Sequence, residues 1–162
     1  MSNIQLNEAY ADWVSSQHYD LILHINAEQE LTFEQMSSLI CKFFYKAECD
    51  VFGYSNREKY KKALRIKRVV AIEGDEKRTH AHIKVKTLVG WTDEQMIELL
   101  RLTYRHITKA KKDKAFLFKA EPIRHKQNSS GYITKDTQRQ NEKLNDVICL
   151  RSSFISKHSK DN

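Results

Sequence analysis

The stretch RVVAIEGDEKRTHAHIKVK, residues 68–86, decides the fold. Two runs rich in β-branched residues, RVVAIEG and HAHIKVKT, flank a short polar segment, the pattern of a β-hairpin. If the turn sets Glu73 across from His80, Ala71 lies opposite His82. Side chains two apart in a strand share a face. Glu73, His80, His82, Lys84 and Lys86 then look to one side, and Val70, Ile72, Ala81, Ile83 and Val85 to the other. The apolar set reads as core and the polar set as an open, outward face.

Working outward, residues 19–26, YDLILHIN, alternate as a strand, with Leu21, Leu23 and Ile25 on one side. Thr32 opens T-F-E-Q, a capping box, ahead of Phe33, Met36, Ile40, Phe43, Phe44 and Ala47 at helical spacing, which predicts a helix over about 33–49. Residues 50–66 read as a long basic loop or a short added helix. Thr92 opens a second capping box, T-D-E-Q, and Met96, Ile97, Leu100, Tyr104 and Ile107 predict a helix over about 93–108. KAKKDK connects to a fourth strand, 115–123, that Pro122 ends. NSSGYITKDTQRQNEKL, 128–144, reads as a surface helix, and the polar tail from about 155 as a fraying end.

The order is β-α-β-β-α-β and then a helix. Right-handed crossovers turn it into a ferredoxin-like antiparallel sheet with two helices on one face and a C-terminal helix beyond. The strand carrying residues 80–87 is expected at the centre, next to the first strand. The 162 residues make one domain, with its core over about 19–141.

Hydrophobic residues form 40% of the chain, enough for a packed core rather than a disordered polymer. No stretch approaches the roughly 20 apolar residues of a membrane span. The N-terminus, MSNIQLNEAYADW, has no basic flank before an apolar run, so no signal peptide is expected. Cys41, Cys49 and Cys149 are odd in number and lack metal-type spacing, which reads as reduced thiols. The expected location is intracellular: cytoplasmic, or the host nucleus for a viral protein. The formal net charge of +7 suits a polyanionic partner. Arg57–Lys67 and Lys109–Lys114 could meet a phosphate backbone, although such runs are often solvated loops.

The hairpin carries the chemistry. Two imidazoles at i and i+2 on a rigid strand can hold one cation, and Glu73 on the neighbouring strand offers a hard oxygen. A mixed nitrogen and oxygen set suits Mn²⁺ or Mg²⁺ better than the thiolate-rich sites of structural zinc. Alone, His80 and His82 would read as polar residues on a solvated strand. Further along, Tyr132, Lys135, Asp136 and Arg139 share one helical face. A tyrosine hydroxyl can attack phosphorus, and a nearby cation such as Lys135 favours the phenolate that does so. Alone, that helix would read as a surface helix with a lysine in water.

Together these motifs resemble the HUH endonucleases, the initiators of rolling-circle replication in small viruses, plasmids and phages. His80-Ala81-His82 matches the paired-histidine motif, with Ala81 where the family usually has a bulkier apolar residue. Tyr132-Ile133-Thr134-Lys135 matches the Tyr-x-x-Lys motif, while Leu23-His24-Ile25-Asn26 is similar to the first motif in position only. The resemblance implies a third metal ligand, for which the hairpin offers Glu73. It implies that Tyr132 and Lys135 are catalytic and that His80, His82 and Glu73 hold Mn²⁺ or Mg²⁺; Lys84 and Lys86 on the histidine face and Arg139 on the tyrosine face of its helix are expected to contact single-stranded origin DNA. The resemblance implies that the strand is nicked through a 5′-phosphotyrosine and rejoined by the reverse transfer. No Gly-x-x-x-x-Gly-Lys loop is present, so a separate helicase is the expected partner. His24 shares the open side and neighbours the metal in this register.

Two other readings compete. Single-tyrosine transposases share the fold and the histidine pair, but their tyrosine helix supplies a glutamine at a spacing that Gln138 does not match. A non-catalytic nucleic-acid binder would use the open sheet face with aromatics on its central strands, whereas His80, His82, Lys84 and Lys86 include none.

Overall fold

Alternation along Leu21–Asn26 (β1) buries Leu21, Leu23 and Ile25 on one side of a sheet. The computed structural model describes residues 18–27, 29–60, 63–74, 79–109, 117–123, 147–148 and 153–154. The hairpin forms as expected from Arg68–Glu73 (β2) and His80–Val85 (β3), antiparallel, with Glu73 opposite His80 and Ala71 opposite His82. Strand β1 pairs with the other side of β3, which makes β3 central. Phe118–Pro122 (β4) flanks β1 and ends at Pro122, as the sequence suggested. It begins three residues later than the expected 115.

The two long helices start where their capping boxes place them. Phe33–Phe52 (α1) follows Thr32, whose hydroxyl accepts from Gln35 N while the Gln35 side chain accepts from Thr32 N. It outruns the expected end at 49 because nothing in Asp50-Val51-Phe52 breaks it before Gly53, which takes a positive φ of 79°. The doubtful segment after it contains a short helix, Tyr54–Lys59 (α2). Asp93–Thr108 (α3) repeats the capping box with Thr92 and Gln95 and stops at Lys109 in the left-handed region. Met36, Ile40, Phe43 and Phe44 of α1 and Met96 and Leu100 of α3 form one core with the apolar face of the sheet. Each large side chain buried there contributes about 1.5–3 kcal/mol. Tyr104 belongs to this core, and its hydroxyl donates to Asn26 O at 2.6 Å. That is a structural role, in line with its place in the apolar stripe.

The sheet has one strand more than expected. Val147–Ile148 (β5) pairs antiparallel with the outer edge of β2, giving the order β4-β1-β3-β2-β5. Phe154 extends that edge: Arg68 N donates to Phe154 O at 2.8 Å, and Phe154 N to Arg68 O at 2.9 Å. A two-residue strand within the short apolar run Val147-Ile148-Cys149-Leu150 shows no alternation to read, yet an edge with unpaired backbone groups favours such cover. The architecture is mixed α+β, with a four-stranded antiparallel core sheet and helices, compatible with the ferredoxin-like arrangement. The expected helix over 128–144 and the tail from 155 lie outside the described residues.

Candidate metal centre

The centre follows from the hairpin register. Parity puts Val69, Ala71 and Glu73 of β2, His80, His82 and Lys84 of β3, and Ile22 and His24 of β1 on the face away from the helices. The pairing aligns them in rows: Asn26–His80–Glu73, then His24–His82–Ala71, then Ile22–Lys84–Val69. Glu73 therefore sits directly across from His80 and diagonal to His82. Both Nε2 atoms reach the same carboxylate oxygen, His82 at 3.1 Å and His80 at 3.3 Å from Glu73 Oε2. One donor atom from each residue lies within 4.8 Å of the other two.

This set fits a cation. Adjacent ligands of a six-coordinate ion with bonds near 2.1 Å stand about 3 Å apart, close to the 3.1 and 3.3 Å spacings here. Two imidazole nitrogens and one carboxylate oxygen are a mixed set, and Cys41 and Cys49 both lie on α1, away from it. Glu73 and His82 are buried, while the His80 side chain is 37% exposed, so the centre opens to solvent past His80. With no ion bound, the imidazoles can donate to the carboxylate. With one bound, the same nitrogens turn lone pairs to the metal.

His24 lies beside this group. Its ring meets that of His82 edge to face at 4.6 Å between centroids, and His80 meets His82 likewise at 5.1 Å. Burial holds the His24 imidazole below its ordinary pKa, and neighbouring His82 and Lys119 push the same way. His24 packs against His82, a candidate ligand, and lies outside the three-residue group.

The other expected residues divide. Lys84 is 2% exposed, so the open face is not solvated along its whole length. Its row neighbours, Ile22 and Val69, are apolar, and burial pushes its ammonium down to about 8. Lys86 remains partly exposed and pairs with Asp20 at 3.1 Å. Tyr132, Lys135 and Arg139 lie outside the described residues; of the expected site, the described residues include the candidate metal group and the two hairpin lysines.

One polar cluster was missed by the sequence reading. Glu48 of α1 is wholly buried, and its carboxylate accepts from Arg57 Nε at 2.6 Å, Arg68 Nη1 at 2.7 Å and Ile66 N at 3.1 Å. The signal was available: Glu48 directly follows Ala47 in the apolar stripe of α1, where a carboxylate needs buried cations, and arginines follow at 57, 65 and 68. No family model, curated protein or solved structure matches the chain.

Proposed function

We propose that this protein is a metal-dependent endonuclease of the HUH type, built on a ferredoxin-like sheet, that nicks and rejoins single-stranded DNA at a replication origin. The observation that carries the reading is the convergence of Glu73, His80 and His82 on one point of the sheet face. The Tyr132-Ile133-Thr134-Lys135 motif and the net charge of +7 support it from the sequence. A Mn²⁺ or Mg²⁺ held by these three residues would act as a Lewis acid on the scissile phosphodiester.

The remaining chemistry belongs to the chain. The Tyr132 hydroxyl attacks phosphorus, a bond forms from its oxygen to the 5′-phosphate, and the bond to the 3′-oxygen breaks. The departing oxygen takes a proton and becomes a free 3′-OH. Lys135 favours the phenolate and offsets charge on the phosphate. Attack of a 3′-OH on the phosphotyrosine reverses the step and restores the strand. Lys86 and Arg139 hold the backbone, and the buried Lys84 adds positive charge inside the face. A separate helicase opens duplex for the nuclease.

The test is incubation with single-stranded origin oligonucleotides and Mn²⁺, read on a denaturing gel and by intact mass, beside Tyr132→Phe and His82→Ala. The expected result is a covalent protein–DNA adduct that requires metal and is absent from both variants. Tight binding without cleavage in all three proteins would instead make the chain a non-catalytic binder.

A further inference from the structure

A cavity of about 350 Å³ lies at the opposite end of β2 from the metal centre, lined by Cys41, Lys42, Tyr45, Glu48, Arg57, Arg65 and Arg68. Arg68 and Glu73 are the two ends of β2 and stand about 17 Å apart along an extended strand. Their parity puts them on opposite faces of the sheet. The cavity is therefore a separate place on the molecule.

Its lining carries four cations and one carboxylate. Glu48 is already satisfied by Arg57, Arg68 and the Ile66 amide. Arg65 is the most loosely held: its buried Nε forms an ion pair with Glu48 Oε1 at 3.7 Å but makes no hydrogen bond among the described residues. The Arg65 guanidinium is held in place over the Phe154 ring at 4.6 Å. Lys42 is exposed at the rim. Positive charge in excess of the local carboxylate, on pre-positioned guanidinium groups, is the chemistry that binds phosphate.

The cavity also has an aromatic wall. The Tyr45 hydroxyl donates to Glu58 at 2.9 Å, and the Arg57 guanidinium lies 5.4 Å from its ring centroid. The ring is thus fixed at both its tip and one side, yet Tyr45 remains 37% exposed. A volume of about 350 Å³ falls in the range of small-molecule sites of roughly 300–1,000 Å³ and leaves room for more than an anion. Bases stack on aromatic side chains without regard to sequence.

We propose that this cavity binds one nucleotide, its phosphate on Arg65, Arg57 and Lys42 and its base against Tyr45. The nucleotide is either a free nucleoside monophosphate or one unit of a single strand. The site does not depend on the metal centre, and it stands or falls apart from the nuclease reading.

The experiment is titration calorimetry of the full chain in EDTA, which silences metal binding, with inorganic phosphate, dTMP and a short oligo-dT in turn. One-site binding of dTMP or the oligonucleotide, tighter than inorganic phosphate, supports the proposal. Arg65→Ala and Lys42→Ala should each weaken it at least tenfold while circular dichroism and thermal midpoint stay unchanged, and His82→Ala should leave it intact. Comparable affinity for dTMP and oligo-dT identifies a free nucleotide as sufficient; much tighter oligo-dT binding identifies a strand. Absence of binding at millimolar ligand, affinity no better than that for inorganic phosphate, or binding undiminished in Arg65→Ala would overturn the proposal.

Discussion

Strand β2 has a buried charged residue at each end, and the two ends are built on opposite plans. At Arg68, fixed positive charge meets fixed negative charge: Glu48 takes hydrogen bonds from two guanidinium groups and a backbone amide. Burial pushes the Arg68 guanidinium down to about 10, with Glu48 opposing that shift, so it stays charged at neutral pH. At Glu73, the neighbours are two imidazoles, which can shed their charge and then offer lone pairs. The Glu48 carboxylate finds its partners within the chain. The group around Glu73 can be completed by an added cation. What distinguishes the two buried carboxylates is whether their partners carry permanent charge.

The largest expected effect tests the self-sufficient end. Glu48→Gln leaves Arg68 and Arg57 buried without their counter-charge. Breaking a buried pair by removing one partner costs about 3–5 kcal/mol. For a chain of this size that lowers the thermal midpoint by about 6–20 °C. Thermal unfolding followed by circular dichroism in EDTA measures it. A change below about 1 kcal/mol would mean that Glu48 contributes no more than a surface ion pair, and the contrast between the two ends would collapse.

The second effect tests the incomplete end. A cation that binds the folded chain and not the unfolded one stabilises it by about 2.7 kcal/mol at a hundredfold excess over Kd. Mn²⁺ should therefore raise the midpoint of the wild-type protein, EDTA should reverse the rise, and His82→Ala should abolish it. An equal rise in His82→Ala would place the bound ion elsewhere.

A smaller effect concerns the support of the triad's own row. Tyr104 donates from α3 to Asn26 O, and Asn26 pairs with His80. Tyr104→Phe removes one buried hydrogen bond and keeps the ring packed against Phe118, a loss of about 1 kcal/mol. Urea unfolding would read it as a shift in midpoint at unchanged slope. A slope change would mean that the hydroxyl also sets the compactness of the fold.

How far the sequence spoke follows the same division. The triad was legible because strand parity and one assumed turn place Glu73 opposite His80 without knowledge of anything distant. Both capping boxes were legible because they are local. Strand β5 and the Arg68–Phe154 bridge were not, since their pairing joins residues far apart through a segment with no periodicity. The burial of Lys84 was also hidden: alternation assigns a face and a row, here between Ile22 and Val69, but does not say whether that face stays wet at that row. The Glu48 cluster needed both helix parity and the return of three arginines from further along the chain.

The smallest expected effect is the most discriminating, because it applies the first substitution to the other end of the strand. In EDTA, Glu73→Gln should change unfolding free energy by less than about 1 kcal/mol, near the net worth of one hydrogen bond. The amide keeps the side chain's shape and one acceptor oxygen toward His80 and His82. Among the described residues the partners of Glu73 are imidazoles, which can be neutral, so none of these partners is a permanent cation stranded when the carboxylate is lost. With Mn²⁺ present, the same variant should lose most of the wild-type gain, because a carboxamide oxygen is a weaker ligand than a carboxylate for a hard cation. Glu48→Gln should behave in the reverse sense, with a large loss in EDTA and a preserved Mn²⁺ increment. A large loss for Glu73→Gln in EDTA would mean that the histidines carry charge in the folded protein, and that the triad is an ion pair in its own right rather than a cation site.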